Sequence, residues 1–129
     1  MPLTKISLRK GQNADYKQRL LYGVRSALVK AFSVPDSEIY QQILEFEAND
    51  FEIPLGKSSQ FVIIEVIALQ GRSFEAKKIL YQTIVENLES LKIPGNDILI
   101  ILVEPPADNW GLRGGKPASE VNLGFKVET

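Results

Sequence analysis

Histidine and cysteine are both absent from this 129-residue chain. Their absence excludes thiol nucleophiles, Ser-His triads and zinc sites of the usual kind. Acid–base chemistry near neutral pH is then left to a perturbed carboxyl, lysine or tyrosine, or to the chain's own α-nitrogen, whose ordinary pKa is about 7.7–8.0. The lack of cysteine also fits a reducing compartment, and a cytoplasmic location is expected. An excess of one charge is missing too. Fifteen Lys and Arg stand against 16 Asp and Glu, with no basic stripe to engage nucleic acid or an anionic membrane. Apolar runs are short: the longest, such as Phe61–Leu69, cannot span a bilayer, and Thr4, Lys5 and Ser7 break any leader-like run at the N-terminus.

What is present is the makeup of one globular domain over residues 1–129, 44% apolar and 24% charged. The chain repeats itself at an offset of roughly 60 residues, with units at about 2–50 and 60–105. Leu8-Arg9-Lys10-Gly11-Gln12-Asn13 lines up with Ala68-Leu69-Gln70-Gly71-Arg72-Ser73. Each stretch ends a strand-like segment, Leu3–Leu8 or Phe61–Leu69, and supplies a glycine and then a helix cap, Asn13 or Ser73. The stripes Leu20, Val24, Leu28, Ala31 and Leu80, Ile84, Leu88, Leu91 then recur on one helical face. Both helices stop at a proline signal, Val34-Pro35 or Ile93-Pro94, and a second strand follows near Ile39–Glu47 or Ile98–Val103.

The expected fold is therefore α/β: a tandem β-α-β repeat with parallel strands inside each unit, four strands in one sheet and both helices on one face. The other face, with Ile63 and Ile100 suggesting apolar character on both sides, wants a partner, so an oligomer is expected. Residues 106–127 read as a Gly- and Pro-rich loop and a final strand, Val121–Val127, suited to pairing with a neighbouring subunit. Gly111-Leu112-Arg113-Gly114-Gly115-Lys116 has the wrong spacing for a phosphate loop, and Pro117 follows the lysine. Arg113 and Lys116 read as solvated loop charges.

The chain opens Met1-Pro2-Leu3, and loss of Met1 would leave Pro2 carrying a free secondary amine. A proline at the mature N-terminus of the first strand, Val34-Pro35 with Tyr40, Gly71-Arg72-Ser73 and Asp108-Asn109-Trp110-Gly111, in this order over the whole length, resemble the tautomerase superfamily. The subgroup it resembles fuses two β-α-β units, assembles as trimers and includes malonate semialdehyde decarboxylase. The resemblance implies a cofactor-independent homotrimer that binds a small carboxylate substrate, with no metal. It implies that Pro2 is the catalytic base and Arg72 the carboxylate anchor, with Glu38, Tyr40, Gln70 and Trp110 around the substrate. The decarboxylases carry two arginines around one residue, where this chain has Gln70-Gly71-Arg72, and an aspartate that activates water, where this chain has Glu38.

Burial and a neighbouring guanidinium would both lower the pKa of a proline amine toward neutrality. A guanidinium can also hold a carboxylate by two parallel hydrogen bonds. Three outcomes stay open at this point. They are an isomerase moving a proton on a small 2-oxo or 2-hydroxydienoate acid, a hydratase–decarboxylase of a 3-oxo acid using Glu38, and a catalytically silent trimeric homologue. Met1, if retained, makes the Pro2 nitrogen an amide and leaves only the last.

Overall fold

The computed structural model describes residues 1–128, and in it the repeat becomes two matched sets of elements. Strand β1 (Leu3–Arg9), helix α1 (Ala14–Phe32) and strand β2 (Tyr40–Phe46) form the first unit. Strand β3 (Val62–Ile67), helix α2 (Phe74–Leu88) and strand β4 (Ile98–Val103) form the second. The Asn13 side chain accepts the Tyr16 N–H at 2.9 Å and the Ser73 hydroxyl accepts that of Ala76 at 3.1 Å, so each helix start has one orphan donor satisfied. Ahead of the caps, Gly11 and Gly71 hold φ of 131° and 139°, a region that side chains rarely enter. At the far ends Ser33 and Lys92 turn left-handed with φ of 55° and 60°, so the chain leaves both helices in the same way before Pro35 and Pro94.

β1 runs parallel to β2 and β3 parallel to β4, while β1 and β3 pair antiparallel in the middle, giving the order β2-β1-β3-β4. Ile6 stands opposite both Ile43 and Ile64, and Ile64 opposite Ile100, so one apolar row crosses the sheet beneath the helices. Leu20, Val24, Leu28, Leu80, Ile84 and Leu88 are all 0% exposed above that row. This burial, at about 25 cal/mol per Å² of apolar surface, is the main term holding the two units together. The four-stranded sheet with both helices on one face is thus as the spacing predicts.

The opposite face is open. Tyr40, Leu44, Leu99, Ile101 and Val103 are exposed on it, and Lys5 pairs in register with Glu65 near its middle. The connection between the units, residues 47–61, is fixed by a tilted series of rings, Phe46, Phe51 and Phe61, with centroids 5.7 and 6.2 Å apart. It is also fixed by buried Asp97, which accepts from the Ser58 backbone N–H at 3.3 Å and from the Ser58 hydroxyl.

After β4 the chain departs from expectation. The final strand expected over Val121–Val127 is not formed. A two-residue hairpin, β5 (Gly111–Leu112) with β6 (Lys116–Pro117), appears instead among short 3₁₀ turns. Two physical reasons account for the missing strand. The Asn122 side chain accepts the Gly124 N–H at 3.0 Å and Gly124 takes φ 80°, which together bend the segment. Its apolar residues Leu123, Phe125 and Val127 pack inward rather than along a sheet edge. Among the described residues no helix is long and apolar enough to cross a membrane, and no cluster of acidic residues could hold a metal ion.

Candidate active site

The start of the chain is drawn into the sheet because the Tyr40 N–H donates to the Pro2 carbonyl at 2.9 Å, which extends the β1–β2 ladder by one residue. Pro2 has no N–H to contribute and sits buried at the mouth of the strand. Met1 ahead of it is only 3% exposed; its side chain lies in an apolar hollow with Leu69, Ala118, Trp110, Leu112 and Leu123. The Met1 amine donates to the Glu38 carbonyl and stands 3.9 Å from the Glu38 carboxylate. Burial pulls this amine from its ordinary 8.0 to about 6; Glu38 opposes the shift and Arg72 adds to it. The hollow therefore disfavours a protonated amine.

Arg72 reaches the same region from the other unit. Gly71 turns the backbone at positive φ, and Arg72 follows directly ahead of the Ser73 cap and α2. Its side chain is 7% exposed. Nη1 donates to the Leu69 carbonyl at 3.3 Å, whereas Nε and Nη2 are buried with no hydrogen-bond partner among the described residues. The guanidinium carbon lies 4.8 Å from the centre of the Phe32 ring. Burial lowers the pKa of Arg72, and Glu104 and Glu128 hold it up. Glu104 is itself bound by Lys77 at 2.7 Å, so it does not pair with the arginine. Nε and Nη2 share one edge of the guanidinium, with the spacing of the two oxygens of a carboxylate. An unsatisfied buried donor costs about 1–3 kcal/mol, a cost that an anion on this edge would remove.

Of the residues singled out in the sequence, Glu38, Tyr40 and Trp110 line one cavity of about 540 Å³, together with Met1, Leu112 and Arg113. Tyr40 is at the edge of the open sheet face, 55% exposed. The Trp110 indole N–H donates to the Pro105 carbonyl at 3.2 Å, which fixes the ring as a wall. Arg72 does not line this cavity, and neither does Gln70. It is exposed, and its backbone N–H donates to the Pro105 carbonyl at 3.3 Å. A second hollow, of about 460 Å³, lies between α1 and α2, but Asn87 within it already donates to the Gly23 carbonyl and the Ser26 hydroxyl.

Arg113 is the residue that the sequence reading passed over. Gly114 and Gly115, at φ of 85° and 91°, let the β5–β6 turn double back, and Arg113 at φ 48° is brought to 3.8 Å from the Glu38 carboxylate. The glycine pair beside the arginine was the available signal, since it permits a return that a solvated loop does not need.

Two family models described as tautomerase enzyme match this chain, one over residues 38–113 and the other over residues 2–57. The Probable tautomerase YusQ of Bacillus subtilis (strain 168) is 25% identical over 90% of this chain and 96% of its own. The Probable tautomerase YrdN of the same organism is 27% identical over 90% and 94%. Among solved structures, a malonate semialdehyde decarboxylase is 29% identical with a TM-score of 0.81, covering 89% of this chain and 93% of its own. A native fused 4-OT aligns with a TM-score of 0.84 at 21% identity, over 95% and 99%. The fused two-unit architecture is common to these structures and this one, and with one model spanning more than half its length the chain belongs to the tautomerase family.

Proposed function

We propose that this protein is a cofactor-independent isomerase in which Pro2, freed by removal of Met1, moves a proton on a small 2-oxo or 2-hydroxydienoate acid. The observation that carries the reading is the buried Arg72 edge, two unpaired N–H groups near the start of the chain, where burial already depresses the Met1 amine to about 6. Met1 occupies the substrate's place: its side chain fills the apolar hollow and its bond to Pro2 ties up the base. Its removal opens the hollow and creates the amine in one step.

The carboxylate of the substrate then pairs side-on with Nε and Nη2 of Arg72. The neutral Pro2 nitrogen takes the enol proton, leaving a dienolate whose charge faces the guanidinium, and the resulting ammonium returns that proton to carbon. Nothing else is consumed or released. Trp110 and Leu112 wall the conjugated chain, and Tyr40 stands at the rim. The open sheet face with Leu99, Ile101 and Val103 supports a homotrimer, the state that fused 4-OT structures are described in. Light scattering that returns a monomer mass would contradict it.

Ketonisation of phenylenolpyruvate by processed protein and by Pro2→Ala tests the base, with a drop of roughly 10²–10⁴-fold expected in the variant. Equal rates would remove Pro2 from the mechanism. The pH profile has a defined sign. A base must be neutral to act, so kcat/KM should rise through the pKa of the amine, and burial moves that rise below the ordinary 7.7–8.0. In the chain that keeps Met1, whose amine is depressed from 8.0 to about 6, the folded state binds fewer protons than the unfolded chain between those values, so its stability should increase with pH across that window.

A second reading has one observation in its favour. The Glu38 carboxylate stands beside the terminal amine, where it could orient a water, and the 29%-identical relative is named for its decarboxylase and hydratase activities. Release of carbon dioxide from malonate semialdehyde would select this reading. N-terminal mass spectrometry on protein from its native cells is the check on both, because a retained methionine leaves a silent homologue.

A further inference from the structure

The hollow that holds Met1 is roofed by the segment in which a strand was expected. Phe125 packs against both apolar clusters of the molecule, and Leu123 and Val127 pack with Met1 and Leu69. Val127 Cγ1 comes within 3.2 Å of the place where a side chain on Gly71 would begin, and a Glu128 carbon within 3.7 Å. Glu128 is close enough to Arg72 for its charge to be felt there. Among the described residues no ladder hydrogen bonds tie this segment to the sheet. A polar attachment among the described residues is Arg113, whose Nη1 donates to the Asn122 carbonyl at 2.6 Å and whose Nη2 donates to the Leu123 carbonyl at 3.3 Å. The same Nη2 faces Glu38 at 3.8 Å, so one guanidinium joins the β5–β6 turn, the entry to β2 and the C-terminal segment.

We infer that residues 121–128 are a cover over the Arg72 anion site, and that Arg113 is the positioning residue that clasps it shut. This rests on the reading of Arg72 as a carboxylate anchor. With Met1 in place the unpaired Arg72 edge has no solvent contact, and once Met1 is removed the C-terminal segment is what remains packed over the turn that carries it. The cover is the element least costly to move. Among the described residues it is held by three apolar side chains, the charge of Glu128 near Arg72, the Val121 N–H bond to the Ala118 carbonyl and one two-pronged clasp, whereas the strands around it are held by continuous ladders. Closure excludes water from the guanidinium and so strengthens its hold on an anion that has entered.

The test needs no turnover. Processed full-length protein is treated with phenylglyoxal, which reacts with accessible guanidinium groups, and modification of Arg72 is followed by peptide mass spectrometry. In parallel, amide hydrogen exchange is read over residues 121–128 and over the four strands. Arg113→Gln should speed modification of Arg72 by about tenfold, the equivalent of one charge-assisted hydrogen bond lost from the closed state. Phe125→Ala, which loosens the apolar attachment and leaves the clasp intact, should act in the same direction. In both variants exchange should quicken in 121–128 and stay unchanged in β1–β4. Arg72 modification at the wild-type rate in both variants, or cover amides that exchange no faster, would overturn the inference. Because labelling is independent of catalysis, an inactive protein with a faster-labelled Arg72 would count against the isomerase reading alone.

Discussion

The turns ahead of the two helices have one backbone and two chemistries. Gly11-Gln12-Asn13 and Gly71-Arg72-Ser73 agree in glycine φ, 131° and 139°, and in cap geometry. Yet an added side chain at Gly11 would meet nothing within 4 Å, while at Gly71 it would meet Val127 at 3.2 Å. Gln12 is half-buried and Arg72 is 7% exposed. The difference comes from the segment attached to the end of each unit. The second is succeeded by residues 106–128, which fold back over its turn; the first is succeeded by a connection that runs to β3. The repeat supplies the scaffold, and the appendage buries one of its two equivalent turns.

The sharpest way to break this comparison is to make the second turn read like the first. Arg72→Gln should cut kcat/KM for an enol acid by roughly 30- to several-thousand-fold, the range for truncating a desolvated charge that pairs with a ligand. Stability should respond with the opposite sign. Arg72→Met removes two unsatisfied buried donors but also the Nη1 bond to the Leu69 carbonyl and the contact with Phe32, leaving a net gain of roughly 1 kcal/mol in urea unfolding. A loss of both activity and stability would mean that Arg72 is structural. The scaffold itself should be indifferent to which unit is damaged. Leu20→Ala and Leu80→Ala remove matched, fully buried side chains, and each should cost roughly 2–5 kcal/mol. Costs that differ by more than about half that range would show that one unit dominates the core.

The scaffold was legible in the sequence because duplication writes every local signal twice. The caps Asn13 and Ser73, the stripes ending at Ala31 and Leu91 and the prolines 35 and 94 are each an argument from short-range chemistry, and each recurs at nearly the same offset. The placement of Glu38 and Trp110 in one cavity was legible through resemblance. The inward packing of the C-terminal segment was not. Leu123, Phe125 and Val127 alternate as a strand would, and nothing local says that their common face meets Met1 and not a sheet edge. Arg113 escaped for a related reason: its partners Glu38 and Asn122 lie in other parts of the chain, and a glycine-flanked arginine looks solvated until the turn is seen to close. Gln70 is next to the Gly71 turn in sequence, yet it is exposed and does not line the cavity of Glu38 and Trp110.

Smaller effects sharpen the contrast between the turns. Gly11→Ala and Gly71→Ala both force a side chain into positive φ, at roughly 1–2 kcal/mol. The second should cost more, because Val127 must give way, and it should quicken exchange in residues 121–128, which the first leaves unchanged.

The smallest expected effect is the most discriminating. Gln12→Arg installs the missing guanidinium on the equivalent backbone of the first unit, ahead of the equivalent cap. If the turn alone made the anion site, a second protected arginine would result. No described segment roofs Gly11, however, so the new side chain should remain in water, react with phenylglyoxal at the rate of an exposed arginine, and leave stability within about ±0.5 kcal/mol of wild type. A protected guanidinium at position 12 would transfer the origin of the site from the C-terminal cover to the repeated turn.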